Sequence, residues 1–439
     1  MPQSQKSDLE ITIKLAYKVV KMFEWLLNLY VLDFFVDDHW AKLPDKWRES
    51  FQDVEPDIIG DILSGKPVNK VFPLSLLAFL KTIDVLSIPR KMQICEVVSE
   101  ELVKSNTNLQ LKNLFLKHVK LKKRHEISLM SLVVRRTAGK SGCDAVVDFG
   151  SGLGHLVRIL AYKHNMYACG IECQSSLTMD ARKLDLELEY TASKHLSKEQ
   201  ITQLRRPEHI NLKLTSDDQL NSLSTKIGEY GLIGLHPCGD LGPLLLKHFA
   251  NCKNVKFICI VGCCYMKLTS DGYPMSQFVR SLDNTLSYAS KEIACHAIEV
   301  YIDRLTNGNY ENLKVHAYRA ALERMLVECD PKLKHTQVRS IKHSDTMTFH
   351  RYCTQAVDKL GIVLPSSPEI WSRGEKDVAR WRHVVILYTL RLALAPLVET
   401  VLLLDRLLYV IEHGFSCDIQ PVFDPKISPR NHIIIATRM

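Results

Sequence analysis

The residues best suited to chemistry fall in two places. The first is Asp148-Phe149-Gly150-Ser151-Gly152-Leu153-Gly154, three glycines at alternate positions behind an acid. Glycines at this spacing let backbone N–H groups and a helix N-terminus come close to a ligand. The third glycine arrives one place early for the dinucleotide pattern GxGxxG, whose ligand is a pyrophosphate. An acid at the start of the turn suits a cation better than a phosphate. S-adenosylmethionine, with an ammonium, a sulfonium and a ribose, fits that description. Glu172 lies about 20 residues on, at the end of the next apolar run, where an acid hydrogen-bonds ribose hydroxyls. Asp217 and Asp218 follow a third apolar run and are expected near the adenine end. A glycine triplet by itself is common in turns. The strand before it, the helix after it and the acid beyond favour a nucleoside cofactor.

The second place is His236-Pro237-Cys238-Gly239-Asp240, together with Cys263-Cys264. His236 or Asp240 could serve as a general base for a hydroxyl or imidazole acceptor. Three thiols and an imidazole are also the ingredients of a zinc site. Reduced thiols lining a pocket is the preferred reading, and no metal is assigned. Neighbours such as Cys263 and Cys264 point to opposite faces of an extended chain, which is poor ligand spacing. His236, Cys238 and Asp240 are the catalytic candidates.

The elements that must position these groups alternate. Ala145–Phe149 reads as a buried strand, followed by a helix from about Leu156. Met166–Glu172 is a second strand, and Ser175 to about Leu188 a helix. Ile210–Leu214, Gly231–Leu235 and Val255–Val261 are further strands, with a helix over Asp240–Ala250. Alternation with short joins predicts a parallel α/β sheet. The chain closes with an apolar helix at about 384–412 and two strands, Ser416–Phe423 and His432–Arg438. That ending supplies the antiparallel seventh strand of a class I methyltransferase sheet. A plain dinucleotide fold does not end this way, which disfavours a nicotinamide oxidoreductase.

Several segments carry a specific resemblance: VVDFGSGLGHLVRIL, GIEC, GLHPCGDLG, IVGCCYMKL with GYPMS, and LAPLVETVLLLDRLLY. Together they resemble the methyltransferase-like protein 25 family, in the branch once named "ribosomal RNA adenine dimethylase domain-containing". The resemblance spans about 121–439. It implies a class I (Rossmann-like) fold and S-adenosylmethionine binding, and little about the acceptor. HPCGD and GCC also resemble the HLCG and CCH motifs of a tRNA 2′-O-methyltransferase. Adenine N6-dimethylases carry Asn or Asp, then Pro-Pro and an aromatic, at the end of strand four. Here that position is His236, which as a neutral imidazole offers one acceptor only. The dimethylase label does not fit. His125-Glu126 resembles the family's first helix of the domain, where it would pack over the cofactor; an ordinary solvated helix start is the alternative.

The remaining chain is mainly helical. Leu9–Val36, Leu74–Ile83 and Leu102–Leu121 show three- and four-residue apolar spacing. The expected division is 1–120 helical, 121–268 methyltransferase core, 269–391 mainly helical insertion, and 392–439 closing helix and hairpin. Val384–Ile411 is apolar but interrupted by Arg391, Glu399, Asp405 and Arg406, so it reads as a buried core helix rather than a membrane span. The 13 cysteines are odd in number and contain no CxxC, and the first residues lack an apolar signal core. Reduced thiols in the cytoplasm or nucleus are expected. A net charge of +8 permits a polyanionic partner without demanding one. Lys122, Lys123, Arg124, Arg135 and Arg136 could contact phosphates or simply be a solvated face. The leading expectation is a methyltransferase acting on RNA or a protein of the translation apparatus, such as a ribosome-associated one. The alternative is a cofactor-binding pseudoenzyme that scaffolds other proteins. The oligomeric state is not legible.

Overall fold

The computed structural model describes residues 3–92, 119–214, 219–220, 226–282, 285–341, 344 and 346–438. Asp217 and Asp218, and most of the helix expected over Leu102–Leu121, lie outside the described residues. The chain divides into two compact units. One comprises 1–14, 88–286 and 399–439; the other comprises 15–87 and 287–398.

The first unit is built on a seven-stranded sheet with order β3-β2-β1-β4-β5-β7-β6. The strands are β1 (Ala145–Phe149), β2 (Tyr167–Glu172), β3 (Glu208–Asn211), β4 (Tyr230–Cys238), β5 (Val255–Cys263), β6 (Ser416–Pro421) and β7 (His432–Thr437). The first five are mutually parallel, and β7 runs antiparallel to both β5 and β6. This is the class I methyltransferase order, with the antiparallel strand where the closing hairpin predicts it.

The central strands read as unbroken apolar runs because helices cover both faces. Val146 and Val147 of β1 and Phe257 to Val261 of β5 are all buried. The edge strand β6 ends at Pro421, a place where a missing N–H costs the ladder little. The helix Leu121–Ser141 packs on β4 and β5, and its Ile127, Met130 and Val134, spaced to share one face, are buried. It stops at Gly142, whose φ of 62° gives the left-handed C-terminal cap.

The apolar stretch near the C-terminus is two helices, Trp381–Ala393 and Ala395–Glu412, where one was expected. Pro396 has no N–H to continue the ladder but is tolerated in a first turn. The stretch is long and apolar enough to cross a membrane, yet 89% of its most apolar window is buried inside the protein. Its acids are satisfied there. Glu399 pairs with Arg90 and accepts from the Tyr265 hydroxyl, and Asp405 accepts from Met275 N and Ser276 N.

Among its described residues the second unit has helices joined by loops and no strand. Glu311–Cys329 packs on Pro368–Ala379 and Trp381–Ala393. Pro56–Leu63 crosses Ile298–Thr306 at Gly60, where a Cβ would stand 2.9 Å from Leu305 Cβ. The long helix expected over Leu9–Val36 is Gln3–Met22 followed by Glu24–Leu27 and a 3-10 turn at Val31–Asp33. Its apolar spacing carries across breaks that periodicity does not detect.

Candidate functional site

The C-terminal ends of β1, β2, β4 and β5 emerge along one edge, which is the ligand edge of an open parallel sheet. The loop after β1 holds three glycines in the left-handed region, with φ of 76° at Gly150, 56° at Gly152 and 66° at Gly154. Each is needed for backbone conformation, but the space around them differs. A Cβ on Gly154 would meet His209 Cε1 at 2.4 Å, whereas one on Gly152 would have nothing within 4 Å. Gly154 is therefore packed from beneath, and Gly152 presents open backbone. Gly150 N and Ser151 N donate to Ile171 O at 2.9 and 3.1 Å, which pins the loop to the end of β2.

Glu172 completes the loop. Its carboxylate accepts from Gly152 N at 2.9 Å and from Gln174 N at 2.9 Å. Burial works to raise its pKa, but these hydrogen bonds and that of the Cys173 thiol outweigh it and hold the group below the usual carboxylate range. Asp148 behaves in the opposite way. It is 3% exposed, and its Oδ1 has no hydrogen-bond partner. Burial pushes it up to about 7, with Lys123 pulling it down and Glu172 adding to the rise. Of the basic run on the first helix of the domain, Lys123 is thus the member whose charge reaches the loop.

A buried network under the loop was not anticipated from the sequence. Arg158 Nε donates to Asp185 Oδ1 at 2.5 Å, and its other nitrogens reach Leu153 O, Ala181 O and His155 Nδ1. Asp185 Oδ2 lies 2.7 Å from His209 Nε2, the ring that closes on Gly154. Burial and the Arg158 charge lower His155 to about 4. The one available signal was an arginine one turn into an otherwise apolar helix.

At the end of β4, His236 adopts φ of 69° and the strand is irregular between Leu235 and Cys238. His236 Nε2 lies 2.9 Å from Glu126 Oε1, which also accepts from the Ser428 hydroxyl at 2.6 Å. His125 Nε2 accepts from Asp424 N at 2.9 Å. The His125-Glu126 pair therefore ties the first helix of the domain to β4 and to the β6–β7 connection; it is not a solvated helix start. Asp240 accepts from Thr269 N and Oγ1 at 3.0 and 2.7 Å, joining the segments that follow β4 and β5.

The thiols converge. Cys238 Sγ lies 3.2 Å from Cys263 Sγ and 3.3 Å from Cys264 Sγ. Neighbours on a regular strand would diverge, but Cys264 is left-handed at φ of 50°, so the chain turns and both thiols face Cys238. The hydrogen bond with Cys263 holds the Cys238 thiol well below its usual range and pushes Cys263 up. His236, Cys238 and Asp240 thus share one edge with the glycine loop and Glu172. The buried, unpartnered Asp148 Oδ1 and the open backbone at Gly152 fit a ligand with a cationic group and a nucleoside, as S-adenosylmethionine has.

Comparison with known proteins agrees with this architecture. Residues 122–271 match a family described as "Methyltransferase domain". "Probable methyltransferase-like protein 25" of Homo sapiens is 29% identical over 243 residues, covering 51% of this chain and 40% of that protein. The Mus musculus protein of the same name is 28% identical over 244 residues, again at 51% and 40%. The chain thus spans about two fifths of the length of these curated relatives. The structure of the plantazolicin methyltransferase BpumL in complex with SAH aligns over 67% of this chain and 93% of its own. That alignment has 10% identity and a TM-score of 0.23, and the fold assignment rests on the strand order instead. Residues 122–271 thus match a methyltransferase domain, the sheet has the strand order of the S-adenosylmethionine-binding fold, and the chain is distantly similar to methyltransferase-like protein 25.

Proposed function

We propose that this chain transfers a methyl group from S-adenosylmethionine to an RNA, or to a protein of the translation apparatus, at a hydroxyl or ring-nitrogen acceptor. The observation that carries the reading is the shared sheet edge: an acid-led glycine loop faces Glu172, and a carboxylate-held histidine stands two strands away. The bound cofactor would supply an electrophilic methyl group on a sulfonium.

The chain's own residues divide the remaining work. Asp148 holds the ammonium, and the backbone of Gly150, Gly152 and Gly154 lets the ligand approach. Glu172 takes the ribose hydroxyls. At the acceptor side, Glu126 is placed to accept from His236 Nε2, a contact that would leave Nδ1 to take the acceptor's proton. A base is what a hydroxyl needs. The Asn-Pro-Pro arrangement that grips an exocyclic amine is absent from this strand end. Asp240 positions the loops, since both its oxygens are engaged by Thr269. Exposed Lys122, Lys123, Arg135 and Arg136 on the first helix of the domain suit the phosphates of an RNA in the cytoplasm or nucleus.

The test is tritiated methyl transfer by the purified chain into fractionated lysate from cells lacking the protein. Label removed by RNase names an RNA acceptor, and label removed by protease names a protein. Cofactor binding with no transfer into any fraction would support the scaffold alternative instead.

A further inference from the structure

We propose that Cys238, Cys263 and Cys264 form a zinc site of three thiolates with an open fourth position at the ends of β4 and β5. The site does not depend on methyl transfer. It stands on how the two strands end. In the sheet register Cys238 pairs directly with Cys263, so their side chains share a face. That pairing requires the irregularity at His236–Pro237, which shifts the register before Cys238.

The third thiol joins through the backbone turn at Cys264, whose φ of 50° is one that L side chains rarely adopt. Gly239, also left-handed at 58°, closes the other side. A Cβ there would meet Lys267 Cβ and O at 3.2 Å, so a glycine is what lets the Tyr265–Lys267 turn pack over the group. Two unusual backbone positions and one close approach therefore serve to gather three sulfurs.

The sulfur separations suit a metal. At 3.2 and 3.3 Å they are far longer than the roughly 2.05 Å of a disulfide. Three sulfurs on one tetrahedral zinc, each about 2.3 Å from it, stand about 3.8 Å apart. A small opening of the group would admit the ion. Thiolate donors select zinc over hard cations. Zinc with three thiolates carries one net negative charge, and Lys267 is the cation beside it. Among the described residues no other three cysteines come together. Cys238 is the exposed member, so the fourth position opens toward solvent at the edge that holds His236. Three protein ligands and an open position is the arrangement of catalytic zinc.

The full chain, purified under reducing conditions from zinc-supplied cells, should carry stoichiometric zinc by elemental analysis. Cobalt put in its place should give thiolate-to-metal charge-transfer absorption. Cys238→Ser and Cys264→Ser should each lose most of the metal and of that absorption, while Cys329→Ser, at an exposed thiol in the other unit, should keep both. Serine at Cys264 could disturb the left-handed turn, so Cys264→Gly, which relaxes that backbone, is measured beside it and must also lose the metal. Metal-free protein whose three thiols react freely, a Cys238–Cys263 disulfide in its place, or zinc retained by the Cys238→Ser/Cys264→Ser double variant would each overturn the proposal.

Discussion

Glu126 and His236 are 110 residues apart in the chain, and their side chains meet at 2.9 Å. Glu126 is 2% exposed and also accepts from Ser428. Burial alone would raise its pKa, yet His236, Ser428 and Lys122 together hold it below the usual carboxylate value. A depressed carboxylate adds stability above its unfolded pKa of about 4.3, and that stability is lost as pH falls through the lower folded value. Glu126→Gln should therefore cost about 1–3 kcal/mol at neutral pH. The difference from wild type should shrink on acidification below about pH 4. Denaturant unfolding at the two pH values checks this. The variant should also slow methyl transfer while leaving cofactor affinity nearly unchanged.

Asp148 should show the opposite dependence. Its folded pKa, raised by burial to about 7, exceeds the unfolded value. Between roughly pH 4 and 7 the folded chain holds a proton that the unfolded chain has released, so stability from this group falls as pH rises. Asp148→Asn should then stabilise the cofactor-free chain at pH 8, by a few kcal/mol at most, and hardly at all at pH 4. A cationic ligand favours the ionised form, so S-adenosylmethionine should bind wild type more tightly as pH rises through about 7, with release of a proton. Calorimetry in buffers of different ionisation enthalpy reads that proton. Heat independent of the buffer would argue against Asp148 as the ammonium partner.

Two glycines of one loop should fail differently. Alanine at Gly154 would drive a Cβ to 2.4 Å from the His209 ring, so the fold itself should suffer. Alanine at Gly152 meets nothing within 4 Å and bears only the left-handed penalty of about 1–2 kcal/mol. Gly152→Ala should keep a cooperative unfolding transition near that of wild type and still lose cofactor affinity. Gly154→Ala should lower the melting temperature by clearly more. Equal melting temperatures for the two variants would show that the loop is not packed as described.

These contrasts mark how far the sequence could be read. The central strands, Gly150 to Gly154 and Glu172 were legible because buried parallel strands are continuous apolar runs and turns need glycine. The strand ends were less so. Ile210–Leu214 was expected where β3 is Glu208–Asn211, a short edge strand with little apolar signal. The meeting of Cys263 and Cys264 at Cys238 was hidden, because a left-handed cysteine has no sequence signature and strand periodicity argued against it. Pairs such as Glu126 with His236 depend on tertiary placement, which spacing along the chain does not encode. Arg158 is one polar residue on a mainly apolar helix, and spacing along the chain does not show that its charge is buried in an ion pair.

Arg158 gives the most demanding prediction. Its side chain is 3% exposed and joins the N-terminal turn of its own helix to Asp185 and the carbonyls of Leu153 and Ala181. Removing one member of a buried ion pair leaves the other charge uncompensated, at a cost of about 3–5 kcal/mol. Arg158→Met should therefore destabilise the domain by that amount. Replacing both charges should cost less than replacing one, so Arg158→Met/Asp185→Asn should recover part of the loss in chemical denaturation. Asp185 also holds His209 against Gly154, so the double variant should regain stability without regaining cofactor affinity. Recovery of both together would mean that the network serves only to fill the core, and that the loop takes its shape from its glycines alone.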